Sequence, residues 1–275
     1  MQSPSAAMRP APWPLPGTVP AGLSVWRVPL DLDRPAPAED WAVLSADEAA
    51  RARRLRQPAD GVRSVRARAA LRRLLGERLG VPAPDVPLGT GPWGRPRLAS
   101  GTGPDFNVSH SGDCVLIALS ERGLAVGVDI ERIDAILQGT PAERSALEAL
   151  VLSPREQAIA PAARPAFPDV WTAKEAVLKC LGVGVAEHLA GVSLEEARVA
   201  PWLPARGPAD TGGEAPQEGR RLRVWMEGAL QGFGVQACTL AAPAGYAAAL
   251  AWSDPLGWPQ GTPIARSREG ASAPG

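Results

Sequence analysis

Two stretches of this chain open helices in the same way, and their repetition limits the folds available to it. Ser45-Ala-Asp-Glu48 and Ser153-Pro-Arg-Glu156 each follow a leucine, Leu44 and Leu152. Both have the spacing in which a serine side chain and a glutamate three residues later satisfy each other's amide donors at a helix start. A longer helical pattern comes after each start, Val62 to Leu75 before Gly76 and Val170 to Leu181 before Gly182, with Arg73 and Lys179 three residues ahead of the glycines. The caps lie 108 residues apart and the glycines 106. Strand-like runs surround these helices: Leu23 to Leu32, Phe106 to Val108, Cys114 to Leu119, Leu124 to Ile130, Leu222 to Met226, Val235 to Leu240 and Tyr246 to Trp252. An α+β unit used twice, with its boundary near Arg122 and Gly123, accounts for the pattern.

Proline and glycine, 30 and 29 of 275 residues, mark where the folded units stop. Their densest clusters predict a disordered leader over residues 1–22, a flexible loop over 201–219 and a disordered tail over 254–275. What remains is one subdomain over 23–123 and a second over 124–253. Proline breaks the leader throughout and so excludes a secretory signal; no apolar run reaches the 18 residues of a membrane span. Cys114, Cys180 and Cys238 are odd in number and far apart, as in a reduced, cytoplasmic chain, and with only two histidines a zinc site is not expected. Equal numbers of basic and acidic residues, 29 each, remove the global charge of a nucleic-acid or anionic-membrane binder.

Five constellations can carry chemistry. In Gly127-Val-Asp-Ile-Glu131, Asp129 and Glu131 are two apart on a strand and share a face, so both can offer oxygens to one hard cation; alone, the pair also fits a solvated strand end. In Trp171-Thr-Ala-Lys-Glu-Ala-Val-Leu-Lys179, Glu175 and Lys179 stack at helical spacing over an apolar stripe of Val177, Leu178 and Leu181, an arrangement shared with surface ion pairs. The chain has 27 arginines and two lysines, and both lysines, Lys174 and Lys179, fall in this motif, which suits a compact ammonium where a planar fork would not fit. Phe106-Asn-Val-Ser109-His110-Ser111-Gly-Asp113 reads as a strand running into a turn whose hydroxyls, imidazole and amides can hold phosphate. Arg95, before Pro96, stands in a rigid extended context. Finally, arginines between Arg51 and Arg78 form a basic face that fits a solvated helix, a phosphate clamp or an acidic partner.

In order and spacing, Gly94-Arg95-Pro96, Phe106-Asn107-Val108-Ser109-His110-Ser111, Gly127-Val128-Asp129-Ile130-Glu131 and Trp171-Thr172-Ala173-Lys174-Glu175 to Lys179 together resemble the 4′-phosphopantetheinyl transferases of the Sfp type. The resemblance spans about residues 23 to 253. It implies two similar α/β subdomains related by a pseudo-twofold, with coenzyme A in the cleft between them. It also implies a monomeric enzyme that moves phosphopantetheine from coenzyme A to a serine of an apo acyl or peptidyl carrier protein and releases 3′,5′-ADP. By the same resemblance, Mg²⁺ falls to Asp129, Glu131 and Glu175, coenzyme A to Arg51, Arg63, Arg95, Ser109, His110 and Lys179, and catalysis to Glu175, Lys179 and Asp129. One position departs from the family: Glu48 stands where a basic residue is often found, three before Arg51. A coenzyme A-binding protein without transfer activity would be expected to lack a metal ligand, and none is missing. A nucleic-acid module would pair the arginines with aromatics, yet none occurs from Leu44 to Gly91.

Overall fold

A computed structural model describes residues 9–91, 94–101, 103–121, 123–196 and 219–259. In chain order its elements are β1 (Ala11–Trp13), β2 (Leu23–Pro29), α1 (Ala38–Trp41), α2 (Ala46–Arg53), α3 (Pro58–Leu79), β3 (Leu88–Thr90), β4 (Pro96–Leu98), β5 (Asp105–Ser111), β6 (Cys114–Ser120) and β7 (Ala125–Arg132). These are followed by α4 (Ile133–Leu137), α5 (Pro141–Val151), α6 (Pro154–Gln157), α7 (Phe167–Leu181), β8 (Val192–Glu196), β9 (Arg221–Met226), β10 (Gln236–Thr239) and β11 (Tyr246–Ser253). One sheet has the order β1-β2-β6-β5 and a second β7-β11-β10-β9-β8, with a small β3-β4 ribbon beside them. The fold is mixed α+β.

Alternation along the strands explains the layering. On β6, Val115, Ile117 and Leu119 pack with Leu71, Leu74 and Leu75 of α3, while Cys114, Leu116 and Ala118 face Val126, Val128 and Ile130 of β7 and Leu250 of β11. Every residue of β6 is therefore buried, because both its faces are covered. The other face of the second sheet carries α7, whose Ala173, Ala176, Val177 and Cys180 join Ala249 and Ala251 of β11. The helix can come this close because Gly127 lacks a side chain: a Cβ there would collide with the Ala176 carbonyl oxygen and the Cys180 nitrogen.

The sheets meet at an unusual seam. Four alternate side chains of β5 accept backbone N–H bonds from β7: Asp105 from Val126 (2.9 Å), Asn107 from Val128 (2.9 Å), Ser109 from Ile130 (3.4 Å) and Ser111 from Arg132 (3.1 Å). These polar side chains stand in for a main-chain ladder and satisfy the amides of an edge strand that would otherwise be left open.

Several expectations need correction. Residues 11–13 lie within the stretch expected to be a disordered leader, yet they form a strand paired with β2, and Trp13, Leu15 and Val19 pack on the inter-sheet core. Prolines fit there because β1 is an edge. Within the expected tail, Trp258 is buried edge-on against Phe233 and donates to Ser253 Oγ at 2.7 Å. The remainder of the tail and nearly all of the 201–219 loop lie outside the described residues. The first long helix does not end at Gly76. It runs to Leu79 and is capped by the left-handed Gly80, whereas α7 ends as expected at left-handed Gly182. Both the caps Gly80 and Gly182 and the strand starts Leu23 and Ala125 are thus 102 residues apart. Strands β3, β4 and β8, and the Thr140–Glu143 capping box that opens α5, had no counterpart in the sequence reading.

Candidate active site

Beside Gly127, β7 passes beneath α7. Asp129 and Glu131 lie on the strand face toward that helix, and Glu175 points down from it, so that one carboxylate oxygen from each falls within 4.8 Å of the others. The strand supplies its pair through its period of two and the helix supplies the third acid. The predicted trio therefore converges.

Asp129 is fully buried and its two oxygens differ. Oδ1 accepts from Ser109 Oγ at 2.7 Å and from Lys179 Nζ at 2.5 Å; Oδ2 is buried without a partner. Lys179 Nζ also lies 3.1 Å from Glu175 Oε2 and 3.4 Å from Ser109 Oγ. Burial, the Asp129 charge and, more weakly, Glu175 push the Glu131 carboxyl up to about 7. Glu175 is likewise raised by burial and then by Asp129, with Lys179 opposing. Despite its own burial, Lys179 is held above the usual lysine range by Asp129 and Glu175. Three carboxylates thus share one ammonium, a charge imbalance that a divalent cation relieves. All-oxygen donors and the unpartnered Asp129 Oδ2 fit a hard ion such as Mg²⁺.

Ser109 and His110 are neighbours in sequence but occupy opposite faces of β5. Strand β5 continues through Ser111, so the turn is Gly112-Asp113 rather than the stretch beginning at Ser109. Ser109 faces the acids. His110 lies on the α3 side, where desolvation and the charges of Arg63 and Lys179 hold its imidazole below the usual range. Arg63 binds the turn itself, Nε donating to the Gly112 carbonyl at 2.7 Å, while a second nitrogen meets Asp60 at 2.6 Å. Arg51 is exposed at the end of α2.

Arg95 is placed differently from the other basic residues. It sits at the opposite end of β5 from Ser109, bonded to Asp105 (3.1 Å), to the Phe106 and Val126 carbonyls (2.9 Å each) and to the Lys179 carbonyl. This is a joint between both sheets and α7. Glu48 is engaged within its own half: it closes the capping box with Ser45, accepts from Arg72 at 2.7 and 3.1 Å and lies 3.5 Å from Arg68. Lys174 points away from the acids and is fully buried, 2.6 Å from Glu156 and donating to the Val151 and Leu189 carbonyls. Of the basic face expected over Arg51 to Arg78, Arg63, Arg66, Arg68, Arg72, Arg73 and Arg78 are all ion-paired.

Sequence reasoning passed over Asp105 and, while quoting Asn107 and Ser111 in their motif, did not give them their seam role, although their alternation with Phe106, Val108 and His110 was the available signal. Trp171 was quoted within its motif but given no role; it lies one helical turn before Glu175, and its buried indole Nε1 makes no hydrogen bond among the described residues.

Comparison with known proteins agrees with this geometry. The family model described as the 4′-phosphopantetheinyl transferase superfamily matches residues 125–223, which include β7 and α7. The 4′-phosphopantetheinyl transferase HetI of Nostoc is 34% identical over 66% of this chain and 76% of its own length. The Synechocystis protein slr0495, provisionally named for the same activity, is 35% identical over 62% and 70%. AcpT of Salmonella typhi, another 4′-phosphopantetheinyl transferase, is 38% identical over 40% and 56%. With the acids, lysine and serine gathered at one site and two relatives covered over more than two thirds of their length, this chain belongs to the 4′-phosphopantetheinyl transferase superfamily.

Proposed function

We propose that this protein transfers 4′-phosphopantetheine from coenzyme A to a serine of an apo acyl or peptidyl carrier protein, releasing 3′,5′-ADP. The observation that carries the reading is the Asp129–Glu131–Glu175 cluster with its orphaned Asp129 Oδ2, set against Lys179 and Ser109. Asp129, Glu131 and Glu175 would hold Mg²⁺, which when bound would supply positive charge against the pyrophosphate. Lys179 adds a point charge beside the departing phosphate, and Ser109 fixes the Asp129 rotamer so that Oδ2 remains available. The carrier serine forms a bond from its Oγ to the phosphorus bearing pantetheine as the bond to the 3′,5′-ADP oxygen breaks. Glu175, whose raised proton affinity suits a base, takes the serine proton directly or through water.

The nucleotide 3′-phosphate lies on the other side of β5, toward His110, Arg63 and the exposed Arg51. Arg95 supports the same site from below by joining β5, β7 and α7, and we assign it to architecture rather than to coenzyme A. The recurring offset of 102 residues supports a pseudo-twofold between residues 23–123 and 124–253, with coenzyme A between the halves. We read the protein as a monomer. Three buried free cysteines fit a cytoplasmic setting, and among the described residues no helix is long and apolar enough to cross a membrane.

The test is intact-mass measurement of several apo carrier proteins incubated with the protein, coenzyme A and Mg²⁺. A mass gain of one phosphopantetheine on a serine supports the reading. No gain on any carrier, with coenzyme A bound and left intact, supports a binding protein without transfer.

A further inference from the structure

The turn after His110 is held from both sheets. Gly112 has a positive φ of 54° and forms, with Asp113, the two-residue link between β5 and β6. From α3, Arg63 grips the Gly112 carbonyl at 2.7 Å; from the segment after β2, the Leu30 N–H reaches the Asp113 carbonyl at 2.8 Å. From the second sheet comes Tyr246, the only tyrosine in the chain and the first residue of β11. Its hydroxyl donates to Asp113 Oδ1 at 2.6 Å and accepts the Asp113 N–H at 3.2 Å. The fit is tight: a Cβ on Gly112 would collide with the Tyr246 hydroxyl and with Cδ of Arg132, the residue paired with Tyr246 across the β7–β11 ladder.

Asp113 is an acid in a neighbourhood meant for phosphates. It lies three residues from His110 and beside the carbonyl that Arg63 holds. Left unrestrained, its carboxylate would be a competing anion for the cations that coenzyme A requires. We propose that Tyr246 is a positioning residue for coenzyme A binding, acting through Asp113: its hydroxyl holds that carboxylate on the second-sheet side of the turn and keeps Arg63 and His110 available to phosphate. This deepens the transferase reading and rests on it. Tyr246 touches no reacting atom, so its effect belongs in the affinity for coenzyme A and not in the rate at saturation.

The experiment compares Tyr246→Phe, Asp113→Asn and the double variant with the unaltered protein, reading the KM for coenzyme A and kcat by carrier mass gain, and coenzyme A affinity by calorimetry. Tyr246→Phe is expected to raise KM and Kd about three- to tenfold, the scale of one ordinary hydrogen bond because the effect is indirect, with kcat within about twofold. Asp113→Asn alone should leave both near the parent values, since the amide oxygen still accepts from Tyr246 and the competing charge is gone. Adding Asp113→Asn to Tyr246→Phe should restore most of the lost affinity. A merely structural tyrosine would not be rescued in this way. A Tyr246→Phe protein with parent-like KM overturns the proposal, as does a double variant no better than Tyr246→Phe. If Tyr246→Phe fails to fold, Asp113→Asn still decides, because a several-fold rise in its KM would overturn the role given to the carboxylate. Loss of all coenzyme A binding and transfer in the unaltered protein would instead count against the transferase reading.

Discussion

The two halves hold their long helices by the same device yet place different charges on them. In the first, the capping-box Glu48 is buried against Arg72 of α3, which also donates to the Ala83, Pro84 and Val86 carbonyls. In the second, the capping-box Glu156 is buried against Lys174 of α7, which also donates to two carbonyls. Arg72 and Lys174 are 102 residues apart, the offset of the helix caps. Carrying that offset along the helices sets Arg73 and Glu77 against Glu175 and Lys179, and on the strands it sets Arg27 and Pro29 against Asp129 and Glu131. Scaffold charges are kept while the charges facing the strand are inverted or lost. In the first half, Arg73 is spent on Asp40 at 2.5 Å and lines a cavity of ≈ 550 Å³ with Trp26, Arg66 and Glu77, a place with no acid trio.

Breaking the acidic side of this comparison should have the largest effect. Asp129→Asn or Glu175→Gln is expected to lower carrier modification by at least about a hundredfold, on the scale of removing an electrostatic contributor to a transition state, while Glu77→Gln leaves it within about twofold. Initial rates by mass gain compare them, and equal losses in both halves would dissolve the asymmetry. The shared device is tested by stability. Lys174→Met should cost about 3–5 kcal/mol in urea unfolding by stranding the buried Glu156, and Lys174→Met with Glu156→Gln should recover part of that loss. A cost below about 1 kcal/mol would show that the pair does not hold α7.

Proton linkage sharpens the comparison further. Glu131 titrates near 7 when no metal is bound, above its unfolded range, so its contribution to metal-free stability is present at acid pH and lost as pH rises through about 7. The melting temperature without metal should therefore decline from pH 5 to pH 8 relative to Glu131→Gln, and Mg²⁺ should restore it most at the alkaline end. Below pH 7 the cation must displace a proton, so its apparent affinity should weaken by up to about tenfold per pH unit. An affinity independent of pH would remove Glu131 from the ligand set. The smallest effects should come from the caps. Ser45→Ala is expected to cost about 1 kcal/mol, and Ser153→Ala more, because Ser153 is buried and also bonded to Ser193 Oγ at 2.7 Å.

Sequence legibility followed the range of the interactions. Both capping boxes, the helix end at Gly182 and the convergence of Asp129 with Glu131 rest on bonds or periodicities a few residues long, and these could be read directly. Gly76 looked like a stop for the same local reason. It lies instead inside a helix pressed against the backbone of Val81 to Ala83, where a Cβ would sit 2.7 Å from the Val81 carbonyl oxygen. The partners of Arg95 and Lys174 could not be read in the sequence because distant segments supply them: Lys179 and Val126 for one, Glu156 and Leu189 for the other. On α5, Leu147, Leu150 and Val151 share helical spacing, yet Val151 is buried, Leu147 is partly packed and Leu150 is 72% exposed. No spacing rule distinguishes those three.

The scarcity of lysine has a practical corollary. An arginine guanidinium is a poor nucleophile, so a chain with 27 arginines and two lysines presents almost no side-chain amine to acylating or aldehyde reagents. Lys174 has no exposed surface, and Lys179, with 23% of its side chain accessible, is held as an ammonium by Asp129 and Glu175, so Lys179 is the one side-chain amine open to such a label and reacts more slowly than the α-amino group. Labelling at Lys179, read by peptide mass with and without coenzyme A and with the α-amino group as internal reference, becomes a gauge of site occupancy.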